Sequence, residues 1–274
     1  MVKGIDSREK RYVKVVSVTA GYDHDGQALD TWFGSGSQVG GDDYKCMGYA
    51  GKAVPSANMD QMLIIVAMNA PKYAGTCWMY YPEEGDCGNG LAVAYFPLGD
   101  TDETLAGLVH HEAGGHGFAK LGDEYDYEGT IPAEEVAEAH KLEPSGWWKN
   151  VDFTSDPAAV KWHCFLEDSR YAYDGLGVFE GGFTYAKGVW RPTDNSIMRY
   201  NNGGFNAPSR EAIWCRIHKL AYGSGWTYDY EEFVAYDAIN RKTSSGAPSR
   251  RNCVERPYPP THPPVVVGPL PKER

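Results

Sequence analysis

The chain has 274 residues, of which 42% are hydrophobic and 23% are charged, and its formal net charge is −11 at pH 7. This length and composition are ordinary for a globular protein with one large domain or two small ones. The negative charge argues against a nucleic-acid partner, because phosphate contacts need a basic surface. The apolar runs are far shorter than a transmembrane helix, so we expect no membrane-spanning segment.

The beginning of the chain predicts one strand and a long loop. Residues 1–10 show no export signal, so we expect that either the protein is cytosolic or the signal has been removed and a start residue added; these residues are treated as a leader-like or tag-like segment. Residues 11–20 are rich in β-branched side chains, which predicts a strand. Residues 21–49 are rich in Gly, Asp and Ser, which predicts a loop. Its acidic residues lack a complete calcium-binding pattern, so we expect solvated side chains rather than a calcium site at Asp23, Asp25, Asp42 and Asp43.

The next stretch predicts two strands separated by a loop. The continuous apolar run Met62–Met68 is typical of a strand buried on both faces. Residues 71–90 predict a long loop, in which Cys77 and Cys87 are candidates for a disulfide. Residues 91–96 predict a further short strand.

The stretch Leu108–Tyr125 carries the clearest chemical signal and reads L-V-H-H-E-A-G-G-H-G-F-A-K-L-G-D-E-Y. Its first half is close to H-E-x-x-H, a pattern in which two His side chains on one helix face bind Zn²⁺ and the Glu acts as general base. A capping signal at Asp100-x-x-Glu103 predicts the start of the helix that carries it.

The two histidines of this stretch, His111 and His116, are five residues apart rather than four. An α-helix turns about 100° per residue, so a regular helix would point the two rings about 140° apart. A π-bulge, in which a turn closes from residue i to i+5, absorbs one extra residue and often occurs at functional sites. Gly114 and Gly115 lie between the two histidines, where the backbone must depart from regular α-helical geometry. The spacing therefore predicts a π-bulge at this point.

Two further motifs follow. The carboxylate pair Asp123–Glu124 offers two candidates for a third metal ligand, and residue spacing alone does not choose between them. The pattern S-x-M-x-Y occurs at Ser196–Tyr200. Alone, this second pattern is equally consistent with the end of a strand that places a Met in the core.

Together these motifs resemble the active-site block of the IgA-peptidase-like bacterial zinc metallopeptidases, a metzincin-like family. The positions that match are His111, Glu112, Gly115, His116, Phe118, Leu121, Asp123, Glu124 and Tyr125. The hexapeptide H-E-A-G-G-H also resembles the H-E-x-x-G-H of dipeptidyl peptidase III, which binds zinc with the same extra residue. The resemblance covers roughly residues 11–240 and is dense only at the two motifs.

The resemblance implies an α/β fold of the metzincin-like type, with a mixed sheet, an active-site helix and a Met-turn at Met198. It implies that the strand at 91–96 lies at the sheet edge that binds the substrate backbone. It also implies a set of site residues. The expected zinc ligands are His111, His116 and Asp123, with Asp123 preferred to Glu124 from the family motif, the expected general base is Glu112, and the expected hydrogen-bond donor to developing charge is Tyr200.

The remaining elements are ordinary. Periodicity and end signals predict helices at 133–142, 206–223 and 228–240, and a strand or hairpin at 183–191. We interpret Trp147 and its neighbour as packing residues. From residue 256 the chain is proline-rich, which predicts an extended tail that does not pack as an element and that either wraps the domain or links to something absent from this chain. The expected organisation is a catalytic domain at 11–255 followed by this tail at 256–274.

The sequence thus predicts a zinc metalloendopeptidase that acts on a protein or peptide substrate, without a nucleic-acid partner. The resemblance implies a secreted, periplasmic or cell-surface location and an additional N-terminal β-rich domain missing from this chain. Two alternatives stay open: a non-catalytic binding or scaffold protein that retains a relic metal site, and a zinc hydrolase of non-peptide amides. The sequence specifies neither an oligomeric state nor a cleavage preference.

Overall fold

A computed structural model describes residues 28–54, 58–82, 89–98, 101–201, 203–242 and 260–270. The strand expected at 11–20, together with Asp23, Asp25 and Cys87, lies outside these ranges. The described chain is mixed α/β with a mixed sheet, which confirms the predicted fold class at that level. None of the helices in these ranges has the length and apolar character needed to cross a membrane.

Strands and helices are interspersed along the described chain. The strands are β1 (Trp32–Phe33), β2 (Val39–Gly40), β3 (Leu63–Met68), β4 (Thr76–Tyr81), β5 (Ala92–Pro97), β6 (Leu176–Gly182), β7 (Tyr185–Thr193) and β8 (Val265–Pro269). The α-helices are α1 (Asp43–Ala53), α2 (Asp102–Leu108), α3 (Ala133–Leu142), α4 (His163–Glu167), α5 (Ile197–Tyr200), α6 (Ala207–Tyr222) and α7 (Tyr230–Asp237). A π-helix, Val109–Phe118, continues α2, and short 3₁₀ turns lie at Met59–Gln61, Glu143–Ser145, Ser169–Tyr171 and Gly223–Gly225.

Internal contacts divide the chain into two compact units. One contains the described parts of Ser7–Phe118, Ile217–Gly225 and Thr261–Arg274, and we call it the sheet unit. The other contains the described parts of Ala119–Arg216 and Trp226–Pro260, and we call it the hairpin unit.

The sheet unit is built on four strands in the order β3-β5-β4-β8. Strand β5 runs parallel to β3 and antiparallel to β4, while β8 runs parallel to β4. Every residue of β5 is buried, because strands cover both of its edges and both of its faces are packed. The expectation that residues 91–96 form a substrate-binding edge is therefore wrong, since β5 is interior.

Strand β3, which lies at one end of the described strands of this sheet, also differs from expectation. Its side chains alternate between buried Val66 and Met68 and exposed positions, and Ile65 is 49% exposed. The apolar run Met62–Met68 thus forms a strand, as predicted, but not one buried on both faces. A continuous apolar run cannot distinguish an interior strand from an outer one, because edge position depends on distant partners.

Two predicted irregular segments contain strands of this sheet. The expected loop at 71–90 contains β4, whose Trp78 and Tyr80 are residues that favour strands. The expected unpacked tail contains β8, which begins with the run Val265–Val267 and pairs with β4. The prediction of a tail without packed structure is wrong for this part.

Helix α1 lies where a loop with solvated aspartates was expected. Asp42 is its N-cap and accepts a hydrogen bond from the backbone N–H of Lys45. Asp43 is buried, and its two carboxylate oxygens accept hydrogen bonds from the hydroxyls of Tyr80 and Tyr95. The prediction of solvated side chains is wrong for Asp43, which ties α1 to the sheet.

The hairpin unit contains the antiparallel pair β6–β7 together with several helices. Helix α3 has the predicted bounds, and α6 and α7 lie within the two other predicted helices. Trp147 is fully buried, which confirms its assignment as a packing residue. An aromatic core joins α4, α6 and α7, and its largest members are Trp162, Phe165, Trp214 and Phe233.

Candidate metal centre

The helix that leads into the site starts one residue later than predicted. Its N-cap is Thr101, whose side chain accepts a hydrogen bond from the backbone N–H of Thr104, and the Thr104 side chain in turn accepts from the backbone N–H of Thr101. The structure thus shows a reciprocal capping box between Thr101 and Thr104, while Asp100 and the side chain of Glu103 lie outside the described residues. These two reciprocal hydrogen bonds fix the residue at which α2 begins.

The predicted π-type turn is confirmed and extends further than expected. Residues Val109–Phe118 have π-helical hydrogen bonding throughout, where a single bulge was predicted. In such a turn, residues five apart return to the same face of the helix, as residues four apart do in an α-helix. The extra residue of the motif is therefore absorbed by the backbone.

This geometry brings the two histidines together. Nε2 of His111 lies 3.0 Å from Nε2 of His116, and neither side chain is exposed. One carboxylate oxygen of Asp123 joins them, so that all three potential ligand atoms lie within 4.8 Å of one another. Asp123 is also buried, with 1% exposure. These residues belong to one continuous run of the chain.

The donor set fits zinc. Two imidazole nitrogens and a carboxylate are common ligands of catalytic Zn²⁺, and a tetrahedral ion with bonds of about 2.0–2.1 Å places its ligand atoms roughly 3.3 Å apart. The Nε2–Nε2 separation of 3.0 Å is close to that spacing. Within the described residues, this is the one group of three or more His, Cys, Asp or Glu side chains arranged to hold a metal.

Glu112 stands between the two histidines in sequence and is fully buried. Its carboxylate lies against the backbone of Gly75, because a Cβ atom built on Gly75 would be 2.5 Å from Glu112 Oε1. A side chain at position 75 would force the Glu112 carboxylate to shift. Sequence analysis missed Gly75, and no local signal marks it, since it precedes Glu112 by many residues and sits in a segment predicted to be a loop.

The structure gives Glu124 a different environment from Asp123. The Glu124 carboxylate accepts hydrogen bonds from Asn150 Nδ2 at 2.8 Å, Asn206 Nδ2 at 2.8 Å and Ser196 Oγ at 2.7 Å. Burial raises the pKa of this carboxyl, and the three hydrogen bonds oppose that rise. Both of its oxygens are thus occupied by protein donors, which favours Asp123 as the third ligand. Sequence analysis did not identify Asn150 or Asn206.

The main chain around Asp123, the candidate third ligand, is anchored on both sides. The carbonyl of Asp123 accepts a hydrogen bond from the N–H of Phe183 at 2.9 Å. The N–H of Glu124 donates to the carbonyl of Met198 at 2.9 Å. These bonds connect the ligand loop to the β6–β7 turn and to α5, and they restrict the positions that Asp123 can adopt.

The S-x-M-x-Y motif forms a short helix rather than the end of a strand. Ser196 caps α5 by accepting a hydrogen bond from the N–H of Met198, whose side chain is fully buried. Tyr200 is the last residue of α5 and is half-buried, with the guanidinium of Arg199 4.9 Å from its ring centroid. The expected role of Tyr200 stays a prediction.

No protein-family model matches this chain, and a search of curated proteins finds no match.

Proposed function

We propose that this chain is a zinc-dependent metalloendopeptidase in which His111, His116 and Asp123 hold Zn²⁺. The observation that carries the proposal is the convergence of these three buried side chains, with ligand atoms within 4.8 Å of one another. The resemblance of their motif to the IgA-peptidase-like metallopeptidases supports the same metal and a metzincin-like arrangement. When bound, Zn²⁺ lowers the pKa of a water molecule and polarises the carbonyl of the peptide bond.

Glu112 is the proposed general base. Its side chain is buried, follows a proposed ligand directly in sequence and is held in place by the close backbone of Gly75. A carboxylate in this position accepts the proton of the attacking water and later delivers it to the leaving amine. Tyr200 is the proposed donor of a hydrogen bond to the oxygen on which negative charge develops.

The proposed substrate is a protein or an extended peptide. As part of the same proposal, the resemblance implies that the protein acts outside the cytoplasm and that family members carry a further N-terminal β-rich domain. The resemblance to a family named for immunoglobulin cleavage does not specify the substrate of this chain, because no described residue of the site indicates a side-chain preference.

The test combines metal analysis with cleavage of unfolded casein. We expect one zinc per chain in the wild type, loss of zinc in His116→Ala and retention of zinc in His140→Ala, a control at an exposed histidine of α3. We expect Glu112→Gln to keep zinc and to cleave casein at least about 100-fold more slowly, because general-base catalysis contributes that much. Glu128→Gln, at an exposed carboxylate, should cleave at the wild-type rate.

The outcomes separate the candidate functions. Zinc binding without cleavage by the wild type would support a binding protein that retains a metal site. Full activity of Glu112→Gln would remove Glu112 from the mechanism. A wild-type protein that binds no zinc after metal is added back would contradict the whole proposal.

A further inference from the structure

The outer edge of β4 is covered by a segment from a distant part of the chain. Strand β8 pairs with β4 in parallel, with Trp78 opposite Val265 and Tyr81 opposite Pro269. The ladder is irregular between Met79 and Tyr80. Strand β4 has β5 on its other side, so without β8 its N–H and C=O groups would form an open edge. Such an edge binds extended peptide backbones.

The same segment continues to the residue that borders Glu112. The N–H of His262 donates a hydrogen bond to the carbonyl of Gly75 at 3.2 Å, and the preceding residue, Thr261, is only 1% exposed. Gly75 is also the residue whose backbone lies against the Glu112 carboxylate. One residue of the sheet unit therefore contacts both the proposed general base and this segment. A backbone paired along β4 as this segment is therefore passes the residue that borders Glu112.

We propose that residues 261–269, here called the blocking strand, occupy the edge of β4 on which a substrate peptide binds, and that substrate must displace them. This inference rests on the proposed peptidase function. It adds to that function the occupation of the β4 edge by residues 261–269, which limits the access of substrate to this surface. The surface recognises the main chain of an extended peptide, because β4 offers backbone donors and acceptors in a row.

The composition of the blocking strand makes it a weak competitor. Pro263, Pro264 and Pro269 have no N–H to donate, so the strand makes fewer main-chain hydrogen bonds than an ordinary peptide of the same length. Val266 and Val267 are 39% and 46% exposed, which leaves much of their side-chain surface without packing. A peptide with a complete set of N–H groups can therefore replace it.

A single glycine allows the strand to be loosened without touching β4 or the metal site. Gly268 has φ +128°, a conformation that other residues rarely adopt, and a Cβ atom built there would meet nothing within 4 Å. Gly268→Val therefore strains the backbone of the blocking strand without a steric clash. Gly175→Val is the matched control, because Gly175 also has positive φ, at +74°, and open space around it, but lies outside the sheet unit.

The first measurement is cleavage of unfolded casein by the full-length, zinc-loaded variants. We expect Gly268→Val to cleave about 5- to 100-fold faster than the wild type at low substrate concentration, because backbone strain of this kind shifts the strand toward its displaced state by such a factor. Gly175→Val should match the wild type. If the wild type cleaves casein, an equal rate in Gly268→Val would overturn the proposal.

The second measurement does not depend on catalysis. A fluorescein-labelled synthetic peptide with the sequence of residues 260–270 is titrated into the zinc-free proteins and followed by fluorescence anisotropy. We expect at least about 5-fold tighter binding to Gly268→Val than to the wild type or Gly175→Val, because the competing strand is weakened. If no variant cleaves casein but this difference is found, the peptidase function fails and the peptide-binding edge stands. Equal binding of the peptide by all three proteins would overturn the proposal that the blocking strand occupies a peptide-binding edge.

Discussion

At the scale of single residues, Asp123 and Glu124 show how environment separates two neighbouring carboxylates. Both are buried and chemically alike. Glu124 accepts hydrogen bonds from three side chains, whereas Asp123 offers an oxygen to the histidine pair. The preference for Asp123 came from a family motif. The structure supplies an independent physical reason, which is that protein donors already occupy the Glu124 carboxylate.

Replacement of Glu124 should therefore reduce the free energy of unfolding more than replacement of an exposed glutamate does. Glu124→Ala leaves the donors on Asn150, Ser196 and Asn206 without their acceptor, so we expect a loss of about 3–5 kcal/mol in the free energy of unfolding. Glu128→Ala, at an exposed position four residues further along the chain, should change it by less than about 0.5 kcal/mol. Urea denaturation monitored by tryptophan fluorescence measures both values, and similar midpoints in the two variants would contradict a structural role for Glu124.

At the scale of elements, the π-helix is the feature that sequence spacing predicted best. Two histidines five residues apart can share a helix face only if the turn closes later than in an α-helix. Its full extent, Val109–Phe118, depends on packing that spacing does not report. Gly117 faces Leu63 of β3 and the backbone of Glu112, because a Cβ atom there would lie 2.5 Å from Leu63 Cδ1 and 3.2 Å from the Glu112 carbonyl oxygen.

This close approach predicts a coupled effect of two substitutions. Gly117→Ala should destabilise the fold by about 1–3 kcal/mol, as overpacking does. Leu63→Ala removes the nearer of the two contacts, so the double variant should be more stable than the sum of the single effects predicts, by at least about 0.5 kcal/mol. Thermal and urea denaturation of the four proteins gives the coupling energy. Additive effects would show that Leu63 does not limit the position of the π-helix.

At the scale of the whole molecule, a metal that binds only the folded chain stabilises it by mass action. The proposed ligands come from the π-helix and from the loop after it, so unfolding separates them. We expect excess zinc to raise the free energy of unfolding by about 4 kcal/mol at a concentration one thousand times the dissociation constant. Differential scanning calorimetry with zinc and with chelator measures the change. His116→Ala is the control, and a zinc-induced shift in that variant as large as in the wild type would argue against this ligand set.

The sequence by itself determined the features that depend on local spacing. The π-turn followed from the five-residue separation of His111 and His116, and α3 and α6 followed from helical periodicity and end signals. The donor types of the metal group were also evident, because zinc ligands are recognised by residue type and distance along the chain.

Only the tertiary structure decided which strands are neighbours and which side chains meet across long separations. It placed β5 in the interior, formed β4 and β8 where irregular chain was expected, and brought Gly75 against Glu112. These features arise from pairing between segments far apart in sequence. Periodicity and propensity describe each segment alone, whereas edge position, burial on both faces and the partners of a buried carboxylate are properties of the segments packed around it.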